Sequence, residues 1–107
     1  MDAPLIDPVV STFLSELRAS LGSAIREVWL FGSRARGDAQ DGSDYDVLVV
    51  VEDEVPELKR KIQDAEWICM EKYNALVSSI VYTARQWEER KDTPLGWNIQ
   101  REGKLVA

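Results

Sequence analysis

The sequence predicts an α/β sandwich, and three observations carry that prediction. Segments with helically spaced apolar residues alternate with short apolar runs. The runs are bounded by glycine, serine, aspartate and proline, the residues that stop strands and open turns. The longest run, Val47 to Val51, is continuously apolar and is the clearest strand in the chain.

Taken in order, residues from about Pro8 to Leu21 place Val10, Phe13, Leu14, Leu17 and Leu21 on one stripe, an amphipathic helix ended by Gly22. Glu27 to Phe31 is a short apolar run stopped by Gly32 and reads as a buried strand. Ser33 to Ser43, rich in Gly, Asp, Arg and Ser, reads as a loop or as a short helix followed by a loop. Asp44 to Val51 alternates and then turns apolar, giving the second strand. The acidic run Glu52-Asp53-Glu54 and Pro56 predict a helix opening there, with carboxylates and proline in its first turn. Leu58, Ile62, Ala65, Cys69 and Tyr73 mark its inward face.

Ala75 to Tyr82 predicts a third strand. Thr83 and Gln86 have the spacing of a capping box and open a short helix through about Lys91. After Pro94, Leu95 to Glu102 predicts a last helix, ended by Gly103, with Lys104 to Val106 as an edge strand. Trp29, Trp67, Trp87 and Trp97 are expected in or partly in the core, with Trp67 falling off the apolar face of its helix.

A chain of 107 residues accommodates one compact domain spanning 1–107. Its net charge of −6 argues against direct nucleic-acid binding, which needs a basic face to displace counterions from phosphates. With no histidine, Ser-His and Cys-His catalysis are excluded, and the single cysteine, Cys69, forms no intramolecular disulfide. Met1-Asp2-Ala3-Pro4 lacks the basic start of a signal peptide, and no apolar run is long enough for a membrane span; a cytoplasmic protein is expected.

The chemistry concentrates between the first two strands. Asp44 and Asp46 are two apart at a strand start, so both carboxylates are expected on one face. Two like charges so placed repel, unless a cation sits between them. An all-oxygen donor set suits Mg²⁺ or Mn²⁺, which complete their shell with water and substrate phosphates. Gly32 and Ser33 stand where a strand turns toward a short helix; glycine permits close approach of an anion, and free N–H groups with the Ser33 hydroxyl offer it donors. Arg34 and Arg36 either bind phosphate or pair with Asp38 or Asp41. A phosphate cradle beside a metal-binding acid pair is the equipment of phosphoryl or nucleotidyl transfer.

Gly32-Ser33, ten residues, then Asp44-Tyr45-Asp46 resembles the signature of the polymerase-β nucleotidyltransferase superfamily. The stretch from Gly32-Ser33-Arg34-Ala35-Arg36-Gly37 to Ser43-Asp44-Tyr45-Asp46 is similar to its minimal nucleotidyltransferase branch. The resemblance implies a small mixed β-sheet flanked by helices over nearly the whole chain. It implies ATP-like donors, with Gly32 and Ser33 at the nucleotide phosphates and Asp44 and Asp46 as catalytic residues on Mg²⁺ or Mn²⁺; Arg34, Arg36 and Ser43 are further candidates for the phosphates. It also implies a helical HEPN-type toxin partner, to which some members transfer AMP. Self-association is a further expectation.

One departure from the pattern bears on activity. Active members carry a third carboxylate on a later strand, whereas Ala75 to Thr83 has neither Asp nor Glu, and Ser78 or Ser79 stands at that position. Two functions are therefore open: metal-dependent transfer of a nucleoside monophosphate to a hydroxyl, or an antitoxin that works by docking on its partner with little catalysis.

Overall fold

A computed structural model of the chain describes residues 7–40 and 42–107; Met1 to Pro4 and Asp41, which enter the expectations above, lie outside the described residues. The helices are α1 (Pro8–Leu21), α2 (Ser33–Arg36), α3 (Leu58–Tyr73), α4 (Ala84–Arg90) and α5 (Pro94–Glu102). The strands are β1 (Ile25–Phe31), β2 (Tyr45–Val51), β3 (Val77–Thr83) and β4 (Lys104–Leu105). They form one four-stranded sheet in the order β3-β2-β1-β4. β1 lies antiparallel to both β2 and β4, while β2 and β3 are parallel and joined by the crossover through α3. This is the mixed sheet flanked by helices that the resemblance implies.

The alternation of β2 sorts the core into two layers. Tyr45, Val47, Val49 and Val51 face α1 and α3, packing with Phe13, Leu14, Leu17, Ile62, Ala65 and Cys69. Leu48 and Val50 face the other way, against Trp87 of α4 and Ile99 of α5. Helices on both faces explain why the run from Val47 is apolar without interruption. Each such side chain contributes about 1.5–3 kcal/mol when fully buried. Asp46 shares the alternation of Leu48 and Val50, so the chemistry stands on the α4/α5 side of the sheet. Cys69 packs among α1 and α3, and burial pushes its thiol up to about 11, which leaves it inert at neutral pH.

Local sequence fixes several ends, among them the expected capping box of α4. Asp7 caps α1, its Oδ1 accepting the Val9 and Val10 N–H groups at 2.8 and 3.3 Å. Thr83 and Gln86 close the capping box of α4 reciprocally, at 2.9 and 3.1 Å. Val106 and Ala107 extend the edge beyond β4 by bonding to Val28, with the Val106 N–H 2.8 Å from the Val28 carbonyl.

Four expectations are corrected. α3 begins at Leu58, two residues beyond Pro56, because Glu57 adopts the left-handed conformation (φ 59°) and breaks helical continuity before it. The acidic run therefore precedes the helix rather than filling its first turn, and Glu52 instead pairs with Arg26. β3 starts at Val77, since Asn74 is left-handed (φ 52°) and Ala75-Leu76 connect it to the strand. Tyr73 is on the rim of α3 and not inside, its hydroxyl 2.8 Å from Thr12 Oγ1. Trp97 is exposed at 56%, because α5 turns Gly96 and Ile99 inward and the Arg101 guanidinium lies 4.3 Å over the outward indole. Trp67, by contrast, is exposed as its helical position implies.

Candidate active site

The site forms where β1 ends, α2 begins and β2 starts. Gly32 has φ 73° and ψ −158°, a conformation open essentially to glycine. A Cβ at this position would collide with Oδ2 of Asp46, so the missing side chain leaves room for the carboxylate against the backbone. Register explains the approach: Phe31, the last residue of β1, is paired with Asp46 across the antiparallel ladder. α2 is a single turn closed by Gly37 in the left-handed conformation, with Ala35 buried beneath it. The N–H groups of Ser33 and Arg34 open that turn, ahead of its first intrahelical bonds, which run from Ala35 and Arg36 to the Gly32 carbonyl.

Asp46 is half-buried and Asp44, one residue ahead of β2, is exposed. Burial raises the Asp46 pKa above its ordinary value, the charge of Asp44 raises it further, and Arg36 opposes both. The two carboxylates thus stand close enough to repel, the condition a divalent cation relieves. The all-oxygen donors, with the seat that Gly32 leaves for the Asp46 carboxylate, fit Mg²⁺, with Asp44 and Asp46 as the residues that would hold it. Among the described residues no group of three or more potential ligands gathers into a metal cluster, so the protein offers a pair.

This raised pKa has a consequence for stability. A carboxyl whose folded-state pKa lies above the unfolded value of 3.8 favours the fold when protonated, and that contribution is lost as pH rises through the folded-state value. Without divalent metal, Asp46→Asn should therefore melt higher than wild type at neutral pH, and the difference should close below pH 3.8. Melting curves in chelator across this range check it; a variant less stable at neutral pH would contradict the strained carboxylate pair.

The arginines divide their duties. Arg34 donates Nη2–H and Nε–H to the Ser43 carbonyl at 2.9 and 3.3 Å and lies 4.3 Å over the Tyr45 ring. It braces the loop that presents Asp44. Arg36 reaches Asp38 at 3.2 Å and Glu102 of α5 at 3.5 Å, and it is the cation that Asp46 senses. Ser43 closes a turn, its hydroxyl accepting the Gln40 N–H at 3.0 Å. Ser33 makes no side-chain hydrogen bond among the described residues and keeps its hydroxyl available. Of the residues singled out from sequence, Gly32, Asp44, Asp46 and Arg36 come together directly, while Arg34 and Ser43 support the loop.

Two supporting residues escaped sequence reasoning. Asp7 accepts the buried Tyr45 hydroxyl at 2.9 Å and so ties the α1 cap to the acid pair's central residue; the Asp-Pro at a helix start hinted at the cap but not at this bond. Glu102 holds Arg36 from a position 66 residues away, and no local signal announces it. β3 settles the alternative between two serines: Ser78 is paired with Asp46 in the parallel ladder, whereas Ser79 faces α3. Glu71 lies exposed on α3, on the far side of the sheet from this cluster.

Comparison with known proteins follows the same lines. The family model for the nucleotidyltransferase domain matches residues 10–101. MJ0141 of Methanocaldococcus jannaschii, named as a protein adenylyltransferase, is 39% identical over 77 residues, spanning 69% of this chain and 76% of its own. The protein adenylyltransferase MntA of Thermococcus cleftensis is 38% identical over 63 residues, 59% of this chain and 61% of its own. Among solved structures, a toxin-antitoxin crystal structure with AMP-PNP superposes with a TM-score of 0.66 at 18% identity, over 91% of this chain and 71% of that one. At that identity the likeness is one of fold. No helix among the described residues is long and apolar enough to cross a membrane.

Proposed function

Because the chain belongs to the nucleotidyltransferase-domain family and is an enzyme of that class, we propose that it transfers AMP from Mg-ATP to a hydroxyl group of a partner protein. The observation that carries this reading is the seating of the Asp46 carboxylate against the bare backbone of Gly32, at the mouth of α2. The names of the relatives support the adenylyl group and the protein acceptor. The minimal-branch resemblance and the toxin-antitoxin fold neighbour support a helical HEPN-type toxin as that acceptor, with this chain as antitoxin.

The geometry supports the following roles. Asp44 and Asp46 would hold Mg²⁺, which supplies neutralisation and orientation of the triphosphate oxygens. The Ser33 hydroxyl and the first N–H groups of α2 donate to phosphate, and Gly32 lets it approach the main chain. Arg36 adds positive charge beside the acid pair. The acceptor oxygen attacks the α-phosphorus, the bond to pyrophosphate breaks with its electron pair leaving on pyrophosphate, and the hydroxyl proton passes to water. Catalysis in such a site is mainly positioning and electrostatics, and the whole reaction stays within the reach of a small domain.

Ser78 favours a second reading. Where a carboxylate would help deprotonate the acceptor, the residue in register with Asp46 is a hydroxyl. The chain would then bind Mg-ATP and neutralise its partner by docking, with slow transfer. Incubation with α-labelled ATP, with and without a co-expressed helical partner, separates the two. Label on the partner that disappears in Asp46→Asn supports transfer; nucleotide binding and complex formation without label leave only docking.

A further inference from the structure

β3 is an edge strand that lacks the usual protection. In the sheet it bonds only to β2, so the outer row of N–H and C=O groups from Val77 to Thr83 has no ladder partner among the described residues. Edges are normally blunted by charge, proline, a bulge or short length. The other edge, β4, spans two residues and carries Lys104. β3 has seven residues, Val-Ser-Ser-Ile-Val-Tyr-Thr, with no charge and no proline, and its register with β2 runs unbroken. Beside it, between α3 and the strand, runs a groove of about 370 Å³ floored by Leu58, Ile62 and Val81.

The groove wall carries a self-complementary pattern. On the outward side of α3, Arg60 is already paired with Glu57 and Asp64 at 2.9 and 3.1 Å. Lys59, Gln63 and Glu66, which line the groove, make no ion pair or side-chain hydrogen bond among the described residues. Lys59 and Glu66 stand about two helical turns apart, on either side of Gln63. Ser79 and Val81, which line the same groove, likewise flank Ile80.

We propose that β3 pairs antiparallel with β3 of a second copy across a two-fold axis at Ile80, joining two sheets into one. Identical antiparallel neighbours are related by an axis normal to the sheet, which sets the two α3 helices antiparallel on the same face. Gln63 then meets its counterpart, and Lys59 of each copy meets Glu66 of the other. A strand from an unrelated protein would gain the ladder bonds but leave these two charges unmatched. The same register sets Tyr82 of the second copy, with Arg90 lying 5.1 Å over its ring, beside Ser78 at the margin of the Asp46 site.

Sedimentation equilibrium of the full chain, from low to high micromolar concentration, tests this without reference to catalysis. A reversible dimer is expected. Lys59→Glu and Glu66→Lys, both on the surface of α3, should each weaken it by ~10-fold or more, because each sets like charges face to face. An equimolar mixture of the two variants should regain dimer as a mixed pair, since both contacts are then complementary. A strictly monomeric chain overturns the proposal. So does a dimer indifferent to both changes, or one that the mixture fails to restore.

Discussion

Gly32→Ala is expected to abolish the stabilisation that Mg-ATP gives this protein while leaving the fold intact. The substitution acts twice. Its φ of 73° and ψ of −158° are strained for any residue with a Cβ, which costs about 1–3 kcal/mol of stability. The new methyl group also occupies the place of the Asp46 carboxylate, which must turn away from where it would meet a metal. Thermal unfolding with and without Mg-ATP reads both effects, because a ligand that binds only the native state raises its melting temperature. The apo-protein should melt lower, and the Mg-ATP increment should vanish. An increment equal to that of wild type would mean that the phosphates do not approach Gly32.

Ser78→Asp is expected to raise transfer by about 100-fold, the lower end of what a positioned general base contributes. Ser78 is exposed, and its backbone lies beside that of Asp46 in the parallel ladder. A carboxylate there completes a three-acid cluster, adds charge for the metal nearest the acceptor and can accept the hydroxyl proton. The same change should lower stability in chelator, since a third anion joins an already repelling pair. Ser79→Asp is the control: its side chain faces α3, away from the site, and it should give no gain. Initial rates of labelled-AMP transfer decide the matter. A wild-type chain turning over at about 1 s⁻¹ or faster would show that no third acid is needed.

What the sequence makes legible follows the range of the interactions that decide it. The run Val47 to Val51 and the Gly-Ser to Asp-Tyr-Asp spacing are local, and the structure turns them into a central strand and a cluster at its start. The caps of α1 and α4 are equally local. Where α3 begins depends on one left-handed residue, Glu57, and no propensity of glutamate announces that conformation. Trp97 faces solvent because α5 needs glycine where it touches the α4 backbone at Arg90 and Lys91, a tertiary requirement that overrides hydrophobicity. The Ser43 carbonyl and the Tyr45 ring engage Arg34, contacts across the loop that its neighbours in sequence do not announce. The choice between Ser78 and Ser79 needed strand register, which hydrophobic pattern alone did not supply.

Isothermal titration of the chain with ATP, in Mg²⁺ and then in chelator, tests the central claim most directly. If Asp44 and Asp46 hold the ion that carries the triphosphate, binding should be strong with Mg²⁺ and weak or absent without it. Asp44→Asn and Asp46→Asn should each remove the metal-dependent part while remaining folded. Equal binding with and without the metal, or full metal-dependent binding in both variants, would contradict the assignment of this acid pair as the nucleotide site.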